Sequence, residues 1–367
     1  MSAGRRLEVF IHGGMHKTGT TSFQTFMDAR RDELLAAGVF YAPGPKGQHG
    51  PLLYAIRPDW NPAELRKVVE TAIAKGSGKL VLSGEALTTF PPEALRTVAG
   101  CFGDCDLTFI FAFRHWAGYL PSRWAQYCRR RDAQSFPAFL DKVVAGRHVD
   151  HRFDLVLDRA TSVAGGKVKA VSCDWAVVRD GSVVPTLLAE MGIDDPATLA
   201  AGASQQWVHR NADPELAEIT RLVNGALSAR FGVAPDELFD NAGAGRSTET
   251  IYMAHYAVRE MPQELREAVT ALGRGSAVER SFAADWDPPA ARELDRYRGL
   301  FVNLPDEQLF PPRTSSAARY WTIGYADALS VPGMRGFVDR VADKILSGRQ
   351  PGAKLAAPAA HRSFATT

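Results

Sequence analysis

Hydrophobic and polar positions alternate along this chain between two rhythms. Residues 7–11 form a short, mainly apolar run, the mark of a strand buried on both faces. Over residues 20–37 the apolar side chains Phe23, Phe26, Met27, Leu34 and Leu35 fall near one face of a helix, and Gly38 stands where a C-terminal cap belongs. Residues 39–41 then lead into a loop rich in proline and glycine. The spacing predicts a helix over 62–74, a second strand over 79–83 ending at Gly84-Glu85, and a third, strongly apolar strand over 107–113 followed by Arg114. A helix over 121–131, a fourth strand over 168–172 and a helix over 183–191 complete the alternation. Strands alternating with helices predict an α/β fold with a mainly parallel sheet.

Farther on, a helix is expected over 211–225, opening a largely helical C-terminal region. The pattern weakens over 231–287, around the loop-like Gly243-Ala244-Gly245-Arg246-Ser247, and this stretch is read as a lid or an acceptor-binding insertion. Residues 1–347 read as one domain. Residues 348–367, rich in alanine and proline, read as a disordered tail.

Composition narrows the function without naming it. The 367 residues are 46% hydrophobic and 23% charged, enough for a sizeable core. A net charge of +2 gives no support to general binding of nucleic acid or of a membrane surface, yet leaves room for a local basic pocket. Of the four cysteines, Cys101 and Cys105 lack the C-x-x-C spacing of a zinc site, and reduced, buried thiols are expected. No apolar run approaches the roughly 20 residues that span a bilayer. Residues 7–11 are too short for a signal-peptide core, so a cytoplasmic protein is expected. No metal cluster stands out: His148 and His151 have no partner carboxylate or thiol by spacing. Oligomeric state is not legible.

In α/β folds ligands bind beyond the carboxyl ends of strands, and three clusters fall there. The first is Val9-Phe10-Ile11-His12-Gly13-Gly14-Met15-His16-Lys17-Thr18-Gly19-Thr20-Thr21-Ser22. Glycines let backbone N–H groups approach an anion, Lys17 adds charge, and a helix N-terminus points its positive end there. The order is not that of a Walker A loop, G-x-x-x-x-G-K-[ST]. A capped helix entry beside an exposed lysine is the plain alternative. The second cluster is Glu85 after the second strand, a candidate base unless it simply complements a helix dipole. His49, in a loop, is the other candidate base. The third is Arg114 with Ser122, which could meet across a strand-to-helix turn and share a phosphate. Alone, an exposed arginine and a helix-cap serine explain that pair equally well.

Together these residues resemble a known family. Lys17-Thr18-Gly19-Thr20-Thr21 is similar to the 5′-phosphosulfate loop of sulfotransferases, which use 3′-phosphoadenosine-5′-phosphosulfate (PAPS). His16 to Gln24, followed by residues 34–41, resembles bacterial PAPS-dependent sulfotransferases, which commonly read H-x-K-T-G-T-T-S-x-Q and then L-x-x-x-G-x-x-Y-P. Here Ala42 separates Tyr41 from Pro43. Ser83-Gly84-Glu85, the segment 111–127 and Arg210-Asn211 also resemble family elements. The likeness is good over 7–130, loose to 225 and absent beyond.

The resemblance implies a P-loop-like fold, sulfuryl transfer to an acceptor hydroxyl, and 3′-phosphoadenosine 5′-phosphate (PAP) as product, with no metal required. It implies that Lys17 meets the oxygen bridging sulfur and phosphorus. His16, Thr18, Gly19, Thr20, Thr21 and Ser22 would bind the 5′-phosphate, and Arg114 and Ser122 the 3′-phosphate. Arg210 and Asn211 would join the donor site, and Glu85 or His49 would take the proton. The acceptor would be a small molecule or glycan, such as a carbohydrate or glycolipid hydroxyl, and not nucleic acid. Two rivals stay open: a non-catalytic nucleotide-binding protein of the same fold, and a P-loop kinase. The kinase is disfavoured by the position of Lys17 and by the lack of a Walker B aspartate at a strand end.

Overall fold

A computed structural model of the chain describes residues 6–15, 17–146, 151–163, 167–193, 213–233, 252–283 and 286–347. His16, Arg210, Asn211 and the 348–367 tail lie outside the described residues. Two compact units emerge. The first comprises Met1–Tyr119, Val143–His209 and Asp285–Thr314; the second comprises Leu120–Lys142, Arg210–Ala284 and Ser315–Thr367.

The first unit begins with β1 (Glu8–His12), α1 (Thr20–Ala29), β2 (Val39–Tyr41), α2 (Pro62–Ala74), β3 (Lys79–Ser83) and β4 (Asp106–Phe113). Then come α3 (Trp116–Arg130), which continues into the second unit, α4 (Phe153–Thr161), β5 (Val168–Ser172) and α5 (Cys173–Asp180). The strands pair in the order β2-β3-β1-β4-β5, all parallel, with Phe10 opposite Val81 on one side and Thr108 on the other. This is the parallel, helix-flanked α/β sheet expected from the alternation. Val9, Ile11, Leu80, Leu82 and residues 109–113 are buried, which is why these strands are nearly continuous apolar runs.

The order of the strands places a site. From β1 the chain passes to β2 on one side of the sheet, while the next strand after β4 is β5 on the other. Connections leaving adjacent strands in opposite directions open a crevice at their carboxyl ends, where α/β sheets bind ligands.

Several boundaries differ from the sequence reading, the helix expected over 211–225 running over Pro214–Phe231 among them, and two have a visible cause. The helix expected over 20–37 breaks at Arg30, and a short second helix spans Arg31–Ala36. Phe23, Phe26 and Met27 bury one stripe and Leu34 rejoins the same core, but Arg30 and Arg31 interrupt that face for one turn. The helix expected from Pro121 starts at Trp116, with Pro121 inside it. The His115 ring explains the earlier start: its Nδ1 accepts from the Ala117 amide, capping the first turn.

The second unit is built on α6 (Pro214–Phe231), α7 (Met253–Arg259), α8 (Gln263–Gly275), the antiparallel pair β6 (Ala277–Phe282) and β7 (Ser316–Trp321), and α9 (Met334–Ser347). Its core joins Leu222, Val223, Val258, Val269, Trp321 and Phe337. Inside it lies a closed ion pair. Arg221 Nε donates to Glu218 Oε2 at 2.6 Å, and the Trp321 amide donates to Glu218 Oε1 at 2.6 Å. Arg221 also donates to the carbonyls of Trp321 and Ile323. The pair ties α6 to the hairpin. Removing one partner strands a buried charge, which costs more than the pair contributes. Glu218→Ala is therefore expected to destabilise the protein by about 3–5 kcal/mol in urea unfolding, and Glu218→Leu combined with Arg221→Met by much less. Equal losses in the two variants would refute this account.

Candidate functional site

Beyond His12 the chain keeps the sheet's spacing. The Gly13 amide donates to Ile110 O at 2.9 Å, and the Met15 amide to Ala112 O at 3.1 Å. A Cβ on Gly13 would lie 2.6 Å from Phe111 Cε1, and one on Gly14 2.5 Å from Thr20 Oγ1. Lys17 then adopts a left-handed φ of 67° and Gly19 one of 81°, and α1 begins at Thr20. Gly19 offers no side-chain cap, and the first turn of α1 holds no acidic residue. The positive end of the helix dipole is therefore uncompensated, which fits an anion.

The loop hydroxyls do not all face outward. Thr18 and Thr20 are buried, and both hydroxyls donate to the Met15 carbonyl. They brace the turn and leave Thr21 as its exposed hydroxyl, while Ser22 is buried. Backbone N–H groups, not these two hydroxyls, are what this arrangement offers an anion.

Arg114 leaves the end of β4 and folds back over α3, where a Cβ on Gly118 would lie 3.0 Å from its Nε. The Cys173 thiol, at the start of α5, donates to Thr18 O at 3.2 Å. Burial pushes this thiol up, Asp174 adds to the rise, and Arg114 opposes it. The lysine loop, Cys173 and Arg114 thus converge within the first unit, at the crevice that the strand order marks. Ser122 is half-buried on α3, in the second unit.

Glu85 heads a short 3-10 turn, Glu85–Thr89, directly beyond β3. The Gly84 amide donates to His12 O at 2.9 Å, holding this turn against the end of β1. Glu85 is half-buried, and its charge raises the proton affinity of His12. His49 is placed differently. Its Nδ1 accepts from the Ser83 amide at 2.8 Å, so its Nε2 carries the proton and donates to Ala42 O at 2.7 Å. The ring is fully buried and packs edge-on to Tyr41 at 4.7 Å. With both nitrogens engaged, His49 fastens backbone and has no free atom to accept a proton.

The sequence reading passed over a polar group beneath the loop. Ser83 Oγ accepts from Gln24 Nε2 at 3.0 Å and pairs with His12 Nδ1 at 2.9 Å. His12 Nε2 and Gln24 Oε1 are buried without a hydrogen-bond partner. His12 Nε2 would also be 2.9 Å from a Cβ on Gly14. The signal was adjacent to the motifs: His12 precedes the glycines, Gln24 follows the threonines, and Ser83 precedes Gly84-Glu85.

Among the described residues no three His, Cys, Asp or Glu side chains are grouped to hold a metal, and no helix is long and apolar enough to cross a membrane. No protein-family model and no curated protein matches this chain. Among solved structures, a crystal structure of retinol dehydratase in complex with androsterone and inactive cofactor PAP is similar with a TM-score of 0.29 and 13% identity, over 53% of this chain. The match spans 64% of that structure's length.

Burial lowers both His12 and His49 from 6.5 to about 4. Between those values the unfolded chain binds protons that the folded chain refuses, so stability is full above about pH 6.5 and falls as pH drops toward 4. Each ring contributes up to about 3 kcal/mol to that loss, at roughly 1.4 kcal/mol per tenfold change in proton affinity. Urea midpoints measured from pH 8 to pH 4 should fall accordingly, and His49→Gln should flatten the decline. A flat wild-type profile would contradict these proton affinities.

Proposed function

We propose that this protein transfers a sulfuryl group from PAPS to an acceptor hydroxyl and releases PAP. One observation carries the reading: the lysine loop after β1 and Arg114 after β4 converge at the crevice between adjacent strands. The sequence resemblance supplies the identity of the donor. The residues suit a nucleotide that is anionic at both ends. An uncapped helix N-terminus with Lys17 suits the 5′-phosphosulfate, and the planar guanidinium of Arg114 suits the 3′-phosphate.

In this reading the acceptor oxygen forms a bond to sulfur while the bond from sulfur to the bridging oxygen breaks. Charge gathers on that oxygen, and Lys17 stabilises it. The acceptor proton passes to Glu85, since both nitrogens of His49 are engaged. Backbone N–H groups at the start of α1 position the 5′-phosphate, and the Met15 carbonyl keeps the threonine brace in place. His16, Ser122, Arg210 and Asn211 remain proposed donor contacts on the resemblance alone. A glycan or other small hydroxyl compound remains the proposed acceptor.

Calorimetric titration of PAP and ADP tests the donor site. Wild type should bind PAP without added metal and prefer it to ADP, and Arg114→Ala should weaken PAP by about tenfold to a hundredfold, as loss of a charge-assisted contact does. Equal affinity for both nucleotides would refute the 3′-phosphate assignment, and magnesium-dependent ATP turnover would favour a kinase. Ser122→Ala tests the other half of the expected pair. In an acceptor assay Lys17→Ala should lower kcat by about a hundredfold or more with PAP affinity largely kept; unchanged turnover would refute its role.

A further inference from the structure

The second unit holds a group of arginines that no carboxylate answers. Several others in the chain are matched: Arg30 by Glu33, Arg152 by Asp154, Arg221 by Glu218 and Arg274 by Glu215. Arg129 and Arg130, in the last turn of α3, and Arg259, in the last turn of α7, form no ion pair among the described residues. Asp132, two positions past Arg130, is taken at both oxygens by the backbone and side-chain amides of Gln134. Glu260, beside Arg259, is exposed and pairs with none of the three. Helix ends attract cations, but the end carbonyls here have other partners. Asn224 donates to Cys128 O at 2.7 Å, and Arg266 donates to Val258 O at 2.8 Å and to Arg259 O at 2.6 Å.

The three arginines gather along one face of α7. Tyr252, His255, Tyr256 and Arg259 follow the spacing that brings side chains to one side of a helix. Arg130 Nε donates to Tyr252 OH at 3.0 Å, and its guanidinium lies 6.0 Å from the centroid of that ring. Arg129 is close enough to interact electrostatically with Tyr252, Arg130 and His255. His255 registers the charge around it. It is only 8% exposed, and its Nδ1 lies 3.4 Å from Thr220 Oγ1, whose own proton goes to Leu216 O at 2.7 Å. Nδ1 therefore carries the ring proton, and Nε2 has no hydrogen-bond partner among the described residues. Burial, with Arg129 and Arg259 adding to it, lowers the ring from 6.5 to about 4. A buried imidazole is thus held neutral between two unmatched guanidinium groups.

Donors outnumber acceptors at this face. Arg129 uses its Nε on Ala125 O at 3.2 Å, and its terminal nitrogens make no hydrogen bond among the described residues. Tyr252 OH accepts from Arg130, and its own proton has no acceptor among those residues. We propose that Arg129, Arg130, Arg259 and the Tyr252 hydroxyl form a binding site for a tetrahedral oxyanion, the sulfate or phosphate group of an anionic ligand. The site uses none of the residues assigned to the nucleotide, and it stands whether or not the sulfuryl-transfer reading does. Guanidinium forks meet two oxygens of such a group at once. Tyr256, 42% exposed and 6.1 Å from the Tyr252 ring, offers an aromatic face for whatever carries the anion.

The test is a ligand-detected NMR titration of the full-length protein with glucose 6-sulfate and with glucose, with and without PAP. The sulfate should bind about tenfold more tightly than glucose, the size of one hydrogen bond to a charged group. Sodium sulfate should displace it, and sodium chloride at the same ionic strength should not. Displacement by a similar concentration of sulfate means that the oxyanion alone is recognised, and a need for much more means that the ester is the ligand; either supports the site. Arg129→Gln and Arg259→Gln, the second at an exposed position, should each weaken the sulfate by about tenfold, and Tyr252→Phe by less. PAP affinity, measured by calorimetry, should not change in any of them. Urea midpoints close to wild type confirm that the variants are folded.

Equal binding of glucose 6-sulfate and glucose, binding of neither, displacement by chloride, or a preference that survives both arginine substitutions would overturn the proposal. A parallel loss of PAP affinity in Arg129→Gln and Arg259→Gln would overturn it too, by assigning these arginines to the nucleotide. Failure of the wild type to bind PAP, with the sulfate preference intact, would count against the donor reading alone.

Discussion

The chain leaves the centre of the sheet through a gap with no room for a side chain, and the geometry of the candidate site follows from that. At Gly13 a Cβ would press on Phe111, and at Gly14 on Thr20 and His12. Adding even one methyl group to such packing costs about 1–3 kcal/mol. Because the backbone passes this close, its amides still reach the carbonyls of β4, at Ile110 and Ala112. The sheet therefore sets where the loop lies. The loop's own side chains only brace it, through the two threonine hydroxyls on Met15. A loop held this way is ordered by the sheet itself, and such preorganisation lowers the ordering cost of any binding there.

The same economy of backbone pairing explains the buried histidines. Strand β2 is short and pairs with β3 only as far as Val81. Ser83, at the end of β3, has no strand neighbour on that side, and its amide and carbonyl need partners. His49 provides both: its ring accepts from the Ser83 amide, and its own amide donates to the Ser83 carbonyl at 2.9 Å. The Ser83 hydroxyl then joins His12 at the end of β1 to Gln24 on α1. One residue at the end of β3 thus locks a loop, a strand and a helix together, two positions before Glu85. His49 is close to the site because it holds the site's frame, which is why its position suggested a base and its bonding does not support one.

Legibility from sequence followed burial. Strands β3 and β5 were read to the residue, because each is an apolar run buried on both faces and bounded by polar residues. Strand β6 escaped the reading: most of its residues are exposed, so it carries no apolar signature. The extended segment 39–41 was passed over because three residues are too few to show a period. The glycine-lysine loop and Arg114 were visible because their meaning lies in local order. The polar group beneath them was not, since His12 and Ser83 meet across 71 positions and neither sits in a periodic pattern.

Lys17 shows how a local cost can signal a site. A left-handed backbone disfavours any residue with a Cβ, by about 1–2 kcal/mol, and glycine would occupy φ 67° without that cost. Gly19, two positions later, does so at φ 81°. Strain of this kind marks the loop as a place to look for function. The net charge of +2 is silent on so local an arrangement. What the fold supplies is a lysine just before the uncapped start of α1 and an arginine directly after β4, on the segments that follow two adjacent strands.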